Sequence, residues 1–96
     1  MNKAEKMRKC IISQFDGMSI DMDYLLCIPS VHATYQKDEI IIDFGGRVRK
    51  SSSAFPKDKA DRLIKWISLH EDEIIENHHR IGHGIDPLLM INPLES

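Results

Sequence analysis

The period of the hydrophobic positions changes about halfway along the chain. In the first half, apolar residues alternate with polar ones over residues 18–24, and short runs rich in β-forming residues follow at 31–35 and 39–44. Alternation at every second position predicts strands that each bury one face. Polar residues 36–38 form a short connection between two of these runs, which predicts a hairpin.

Turn signals divide the rest of this half. Asp16-Gly17 predicts a tight turn or a bulge between residues 10–15 and 18–24, and Gly45-Gly46 predicts a turn after which residues 47–51 return as another strand. Because these connections are short, successive strands must be antiparallel neighbours. The first half therefore predicts an antiparallel meander of about four strands.

From Pro56 the spacing becomes helical, and a proline suits the first position of a helix because its missing N–H would have no partner there. Residues then recur at alternating steps of four and three: Leu63, Ile67, His70, Ile74, Asn77 and Ile81. This stripe predicts one long helix, or two short ones that break at residues 69–72, ending near Gly82 or Gly84. The apolar tail, residues 87–94, either adds a strand or packs across the helix.

These elements predict an α+β fold in which an antiparallel sheet of about four strands packs on one long or two short C-terminal helices. A chain of 96 residues is expected to form one domain with a modest core. We therefore divide the sequence into an N-terminal arm, residues 1–9, and a single α+β domain, residues 10–96.

Composition indicates the class of protein and its location in the cell, but it says little about the function. The 42% hydrophobic and 29% charged residues are typical of globular proteins. No apolar run reaches the ~20 residues of a membrane-spanning helix, and no apolar segment with a cleavage site follows the basic N-terminus. Cys10 and Cys27 fit reduced thiols, although a disulfide between them stays open. We therefore expect a cytoplasmic protein that does not act at a membrane.

Charge is distributed unevenly, although the net charge is only −2. Residues 47–65 carry seven basic side chains and two acidic ones. Our candidates for a nucleic-acid-binding or anion-binding surface are Arg47, Arg49, Lys50, Lys59, Arg62 and Lys65. Such a cluster can hold phosphates, but it is also typical of a solvated face. No helix-turn-helix, zinc-finger or aromatic stacking signature accompanies it.

Four of the five histidines lie within residues 70–84, HEDEIIENHHRIGHG. A metal site needs several ligands that converge on one point. The HExxH pattern is absent, the adjacent His78 and His79 diverge by about 100° on a helix, and Gly82 separates His79 from His83. We therefore predict no metal site and no cofactor.

His70 differs from the other histidines because it lies on the apolar stripe. A buried imidazole needs hydrogen-bond partners, and Glu73, Asn77 or His32 from the sheet could supply them. One interpretation is a polar pin that fixes the helix against the sheet. The other is a general acid–base site made of His32, His70, Glu73 and Asn77.

Three segments, PSVHATYQKDEIIIDFGG, FPKDKADRLIKWISLHEDEIIEN and INPL, resemble the small bacterial family DUF4160, and the resemblance covers roughly residues 11–95. The matching positions are Pro29, His32, Ala33, Trp66, Leu69, His70, Glu73, Ile74, Asn77, Ile91, Pro93 and Leu94. Two positions depart from the family pattern. Ser30 stands where relatives have the first histidine of Pro-His-x-His-Ala, and His78 stands where they have a second tryptophan. The resemblance implies no reaction, but it implies a component of a two-gene module of the toxin–antitoxin kind.

On this basis we expect a small bacterial or phage-borne protein that acts by binding. It would be a regulatory or antitoxin-like partner in a two-gene module, or an inhibitor of a host nuclease, and it would bind another protein or a second copy of itself. Two alternatives stay open. One is a metal-independent ribonuclease-like toxin that uses His32, His70 and Glu73, and the other is a nucleic-acid-binding protein.

Overall fold

The computed structural model describes residues 10–23, 27–85 and 87–95, so the predicted N-terminal arm, residues 1–9, lies outside the described residues. The described elements are β1 Ile11–Phe15, β2 Met18–Met22, β3 Ser30–Tyr35, β4 Asp38–Asp43, β5 Val48–Ser51, α1 Lys57–Leu69 and α2 Glu71–Gly82. The strands form one antiparallel sheet in the order β1-β2-β3-β4-β5. The predicted α+β fold is confirmed, with five strands where about four were expected.

The fifth strand arises because Asp16-Gly17 is a turn. Asp16 has φ 55° and Gly17 has φ 79°, so both central residues of this two-residue hairpin lie in the left-handed region. That geometry matches the right-handed twist of the flanking strands, and a glycine adopts it without steric cost. The apolar stretch around the turn is therefore two paired strands, and a separate register shift lies in β1 between Ile11 and Ser13.

The two faces of the sheet differ because side chains alternate along each strand. Core residues on the central strands and helices are Met18, Ile20, Met22, Val31, Ala33, Ile40, Ile42, Leu63, Trp66, Ile67 and Ile74. Among the strand residues between them are the buried polar groups Asp21, His32 and Asp43. By this alternation they point away from the helices, so one face of the sheet is apolar and covered by helices, and the other is polar.

The stripe of residues 63–81 runs through two short helices, and not through the single long helix that was the other predicted alternative. His70 has φ −130° and ψ 30°, so it ends α1 and precedes the first residue of α2. Pro56 precedes α1 as its N-cap, one position earlier than predicted. At the end of α2, Gly84 has φ 65° and donates to Ile81, while the amide of Ile85 donates to Arg80. This pair of bonds is a Schellman motif, which is why the helix stops there.

The tail, residues 87–95, forms no helix or strand and packs across the helices. Trp66 Nε1 donates to the carbonyl of Asn92 at 2.7 Å. The amide of Asn77 donates to the carbonyl of Leu89 at 3.0 Å and accepts from its N–H at 2.6 Å. The N–H of Ile91 donates to the carbonyl of Ile12 at 2.8 Å, so the tail also reaches the outer strand β1. Among the described residues, neither helix is long and apolar enough to cross a membrane.

Candidate functional site

A histidine lies between two carboxylates on the polar face of the sheet. Nδ1 of His32 is 2.8 Å from Oδ1 of Asp21, and its Nε2 is 2.6 Å from Oε1 of Glu39. Asp21 lies directly opposite His32 across β2 and β3, and Glu39 on β4 is a diagonal neighbour. Strand pairing alone therefore brings these three side chains together.

Asp21 and His32 are buried, whereas Glu39 is exposed to solvent. The side chains of Asp21 and His32 are 6% and 7% exposed, whereas that of Glu39 is 61% exposed. The buried carboxylate orients the ring through Nδ1, because a ring nitrogen that is held by a hydrogen bond fixes the ring's direction. The arrangement is therefore a rigid aspartate–histidine pair whose second nitrogen meets an exposed carboxylate.

The two contacts define a testable protonation state. An ionised carboxylate only accepts hydrogen bonds, and a neutral imidazole donates only one. With both carboxylates ionised, His32 must therefore carry protons on Nδ1 and Nε2. We expect ¹⁵N NMR of the imidazole at neutral pH to show both nitrogens of His32 protonated. A single proton on His32 would instead mean that one of the two acids is neutral.

A pocket of about 170 Å³ opens beside His32. Its lining residues are His32, Glu39, Ile40, Ile41, Lys50, Ser51 and Ser52. His32 pairs with Ile41, and Ile41 pairs with Lys50, so these three residues form one row across β3, β4 and β5. The hydroxyl of Ser52 accepts from the backbone N–H of Glu39 at 3.0 Å, which fixes the rim of the pocket. The pocket thus combines an imidazole, an ammonium group and an exposed carboxylate.

A second histidine–carboxylate pair lies at the junction of the helices. Nδ1 of His70 is 2.6 Å from Oε1 of Glu73, one of the three partners that the sequence left open, and the His70 side chain is 19% exposed. The imidazole packs against Trp66, with ring centroids 5.5 Å apart. This pair stabilises the point where α1 ends and α2 begins.

The structure does not bring His32 and His70 together. Val31 and Ala33 face the helices, so His32 between them points to the other side of the sheet, whereas His70 belongs to the helix layer. Asn77 is fully buried and its amide is occupied by the tail. Of the four residues considered for one acid–base site, only His70 and Glu73 pair with each other, whereas His32 has other carboxylate partners and Asn77 holds the tail.

The six basic candidates also divide between elements. Arg62 on α1 forms an ion pair with Asp16 in the first hairpin and donates to the carbonyl of Glu95 at 3.4 Å. Lys59 lies 5.4 Å from the centroid of the Tyr35 ring, and Lys65 is exposed on α1. The remaining three candidates, Arg47, Arg49 and Lys50, lie on or beside β5, where Arg49 is 3.4 Å from Asp43. Arg62 and Lys59 on α1 and Arg49 on β5 thus contact other parts of the fold. The three remaining candidates, Arg47, Lys50 and Lys65, are exposed.

The other reactive side chains are exposed. The rings of His79 and His83 stack with centroids 4.2 Å apart at the end of α2. The part of the chain that the structure describes contains no group of three or more His, Cys, Asp or Glu side chains arranged to hold a metal ion. Cys10 and Cys27 are free and exposed.

Sequence reasoning found His32 but missed its partners Asp21 and Glu39. The signal was available in the parity of the strands, because each acid lies beside core positions and therefore on the polar face.

Comparisons with known proteins give one match. A family model described as a domain of unknown function, DUF4160, matches residues 27–79. The match spans β3 to the larger part of α2, and it includes His32, Glu39 and His70 but not Asp21. Neither the curated proteins nor the solved structures contain a significant match to the chain.

Proposed function

Because the chain belongs to the DUF4160 family, whose function is unknown, we propose from its own surface that it acts by binding an acidic segment of a partner protein along the outer edge of β5. The partner would be the second product of a bacterial two-gene module, or a host nuclease that the chain inhibits in the cytoplasm. The observation that carries this proposal is the exposed, basic edge strand.

The shape of β5 supports strand addition. All four residues of Val48–Ser51 are exposed, and no other strand among the described residues lies beyond it. An edge strand presents unpaired backbone N–H and C=O groups, and an extended peptide can add to such an edge through main-chain hydrogen bonds. The opposite edge, β1, is less open because the tail donates a hydrogen bond to it from Ile91.

The positive charge of the β5 edge favours binding of a different protein over binding of a second copy of this chain. Arg47, Arg49 and Lys50 bring three positive charges to this edge, and two copies that met edge to edge would bring like charges together. Like charges opposite each other across strands are destabilising, whereas an acidic strand would be attracted and oriented. The proposed partner is therefore heterologous and acidic.

We expect the chain to retain a stoichiometric protein partner from a nuclease-treated bacterial lysate, and the double variant Arg47→Glu/Arg49→Glu to lose it. Reversing two charges removes the electrostatic complementarity of the edge. Lys37→Glu/Lys57→Glu makes the same change in net charge at exposed lysines away from β5, so it should keep the partner. Hydrogen exchange should show slower exchange in β5 in the complex.

Two results would contradict the proposal. One is a partner that both double variants retain equally, because the edge would then not be the binding surface. The other is a complex that disappears on nuclease treatment and reforms with purified nucleic acid in a salt-dependent way, since the partner would then be a nucleic acid.

A further inference from the structure

Glu39 is an exposed carboxylate that sits on a buried imidazole. Its Oε1 occupies the position facing Nε2 of His32, at 2.6 Å, although 61% of the Glu39 side chain is exposed. The ring cannot turn away, because Asp21 holds its other nitrogen at 2.8 Å in a buried contact. Nε2 is therefore a fixed donor whose present acceptor is an exposed side chain.

The pocket offers a second positive group near that donor. Lys50 lines the same pocket and lies in the same cross-strand row as His32, two strands away, with Ile41 between them. Strands are about 4.8 Å apart, so the two backbones lie roughly 10 Å apart. The long side chain of Lys50 can cover much of that distance above Ile41. A small anion over Ile41 would meet a cation on both sides.

We propose that this pocket binds a compact oxyanion, either a phosphate group or a small carboxylate, whose oxygen replaces Oε1 of Glu39 on Nε2 of His32 while Lys50 neutralises its charge. Glu39 is then an internal competitor that holds the anion position in the absence of ligand. This site shares Lys50 with the proposed protein-binding edge, but it lies on the polar face of the sheet and does not need Arg47 or Arg49.

The competition is weak enough for a ligand to overcome. An exposed ion pair contributes little because water and salt screen it and because the side chain must be ordered to form it. Displacing Glu39 therefore requires far less than breaking the buried contact of Asp21 with His32. The buried pair would keep the imidazole in place when the exposed arm leaves.

The experiment is an NMR titration with inorganic phosphate at constant ionic strength, which follows the ring of His32 and the amides of the pocket. Glu39→Gln should tighten phosphate binding by up to about fivefold, the effect of removing an exposed ion pair that competes with it. Lys50→Met should weaken binding by a similar factor. Glu76→Gln, which neutralises another exposed, ion-paired glutamate on α2, is the control and should leave binding unchanged.

Acetate titrated in the same way distinguishes the two anion classes: the one that saturates at the lower concentration identifies the ligand type. Saturation in Glu39→Gln alone, with none in the wild type, would contradict the proposal, because Glu39 would then keep the anion out of the natural pocket. The proposal is overturned if neither form saturates with either anion, if Lys50→Met leaves affinity unchanged, or if Glu76→Gln tightens binding as much as Glu39→Gln. An Arg47→Glu/Arg49→Glu variant that has lost the protein partner but still binds phosphate normally would support a pocket that does not need the two arginines of the edge.

Discussion

Trp66→Ala is expected to lower the free energy of unfolding by about 3–5 kcal/mol, the range measured when a large buried aromatic residue is truncated. The indole is fully buried, packs against Phe15 with ring centroids 5.5 Å apart, and holds the carbonyl of Asn92 through its N–H. The substitution therefore removes core contacts and one attachment of the tail together. Small domains are stable by only about 5–15 kcal/mol, so urea denaturation should show a large shift of the midpoint.

Trp66→Phe separates the two contributions. It keeps an aromatic ring in the core but removes the N–H that holds Asn92, so its effect should be smaller, about 1–2 kcal/mol. If the alanine variant were no less stable than the phenylalanine variant, the indole would not be the packing anchor that its burial indicates.

Asn77→Ala is expected to lower the free energy of unfolding by about 2–4 kcal/mol, because each buried polar group left without a partner costs about 1–3 kcal/mol. The side chain is fully buried and satisfies both the N–H and the C=O of Leu89. Denaturation measures the loss, and hydrogen exchange at the amide of Leu89 should accelerate before the core amides do.

Two comparisons make this result interpretable. His79→Ala, at an exposed position two residues further along α2, should change stability little. Asn77→Asp retains an acceptor for the N–H of Leu89 but loses the donor to its carbonyl, and it brings an unpaired charge into the core, so it should not rescue stability. A stable Asn77→Ala variant that had lost a biochemical activity would instead favour the catalytic interpretation of this residue.

Both expectations change the meaning of the residues shared with the DUF4160 pattern. Trp66 and Asn77 hydrogen-bond to the tail, and His70 and Glu73 pair at the helix junction, so we expect structural tasks for these helical positions. The strand position His32 instead lies on the polar face beside a pocket. Within the part of the chain that the structure describes, we therefore expect ligand contacts at strand positions such as His32 and not at these helical positions.

Ser30, which replaces the first histidine of the family pattern, also makes a contact within the fold. Ser30 is fully buried on the same face as His32, two residues earlier, and its hydroxyl donates to the carbonyl of Ile28 at 2.9 Å. A side chain with that hydrogen bond is satisfied within its own segment. In this chain the polar face thus offers one imidazole to the pocket from this strand.

Local patterns were sufficient for the elements of the fold. Alternation identified the strands, and polar or glycine-containing turns joined them in the observed order. The stripe of residues 63–81 correctly predicted the buried face of both helices, because burial of an amphipathic face leaves a periodic signal. The separation at His70 was only one of two alternatives, since a stripe continues across a short break without changing its period.

Long-range pairings were not predictable from local pattern. The ion pair of Arg62 with Asp16 joins a helix to a distant hairpin, and nothing around either residue specifies the other. The sequence also left open whether His32 meets His70, for a related reason. The helical stripe shows which side of the helix is buried, but it does not show which face of the sheet a strand residue lies on. Val31 and Ala33 belong to the core, so His32 between them points to the opposite face.

The hydrogen bond from Ile91 to Ile12 has a consequence for synthesis on the ribosome. The ribosome synthesises β1 before the tail segment that contacts it. The edge strand β1 of the nascent sheet therefore emerges without its hydrogen bond from Ile91. Apolar Ile11, still 44% exposed in the finished fold, then stands beside uncapped backbone groups. A chaperone or a prematurely bound partner would meet the protein in that interval, and aggregation during expression should rise when elongation stalls between α2 and residue 91.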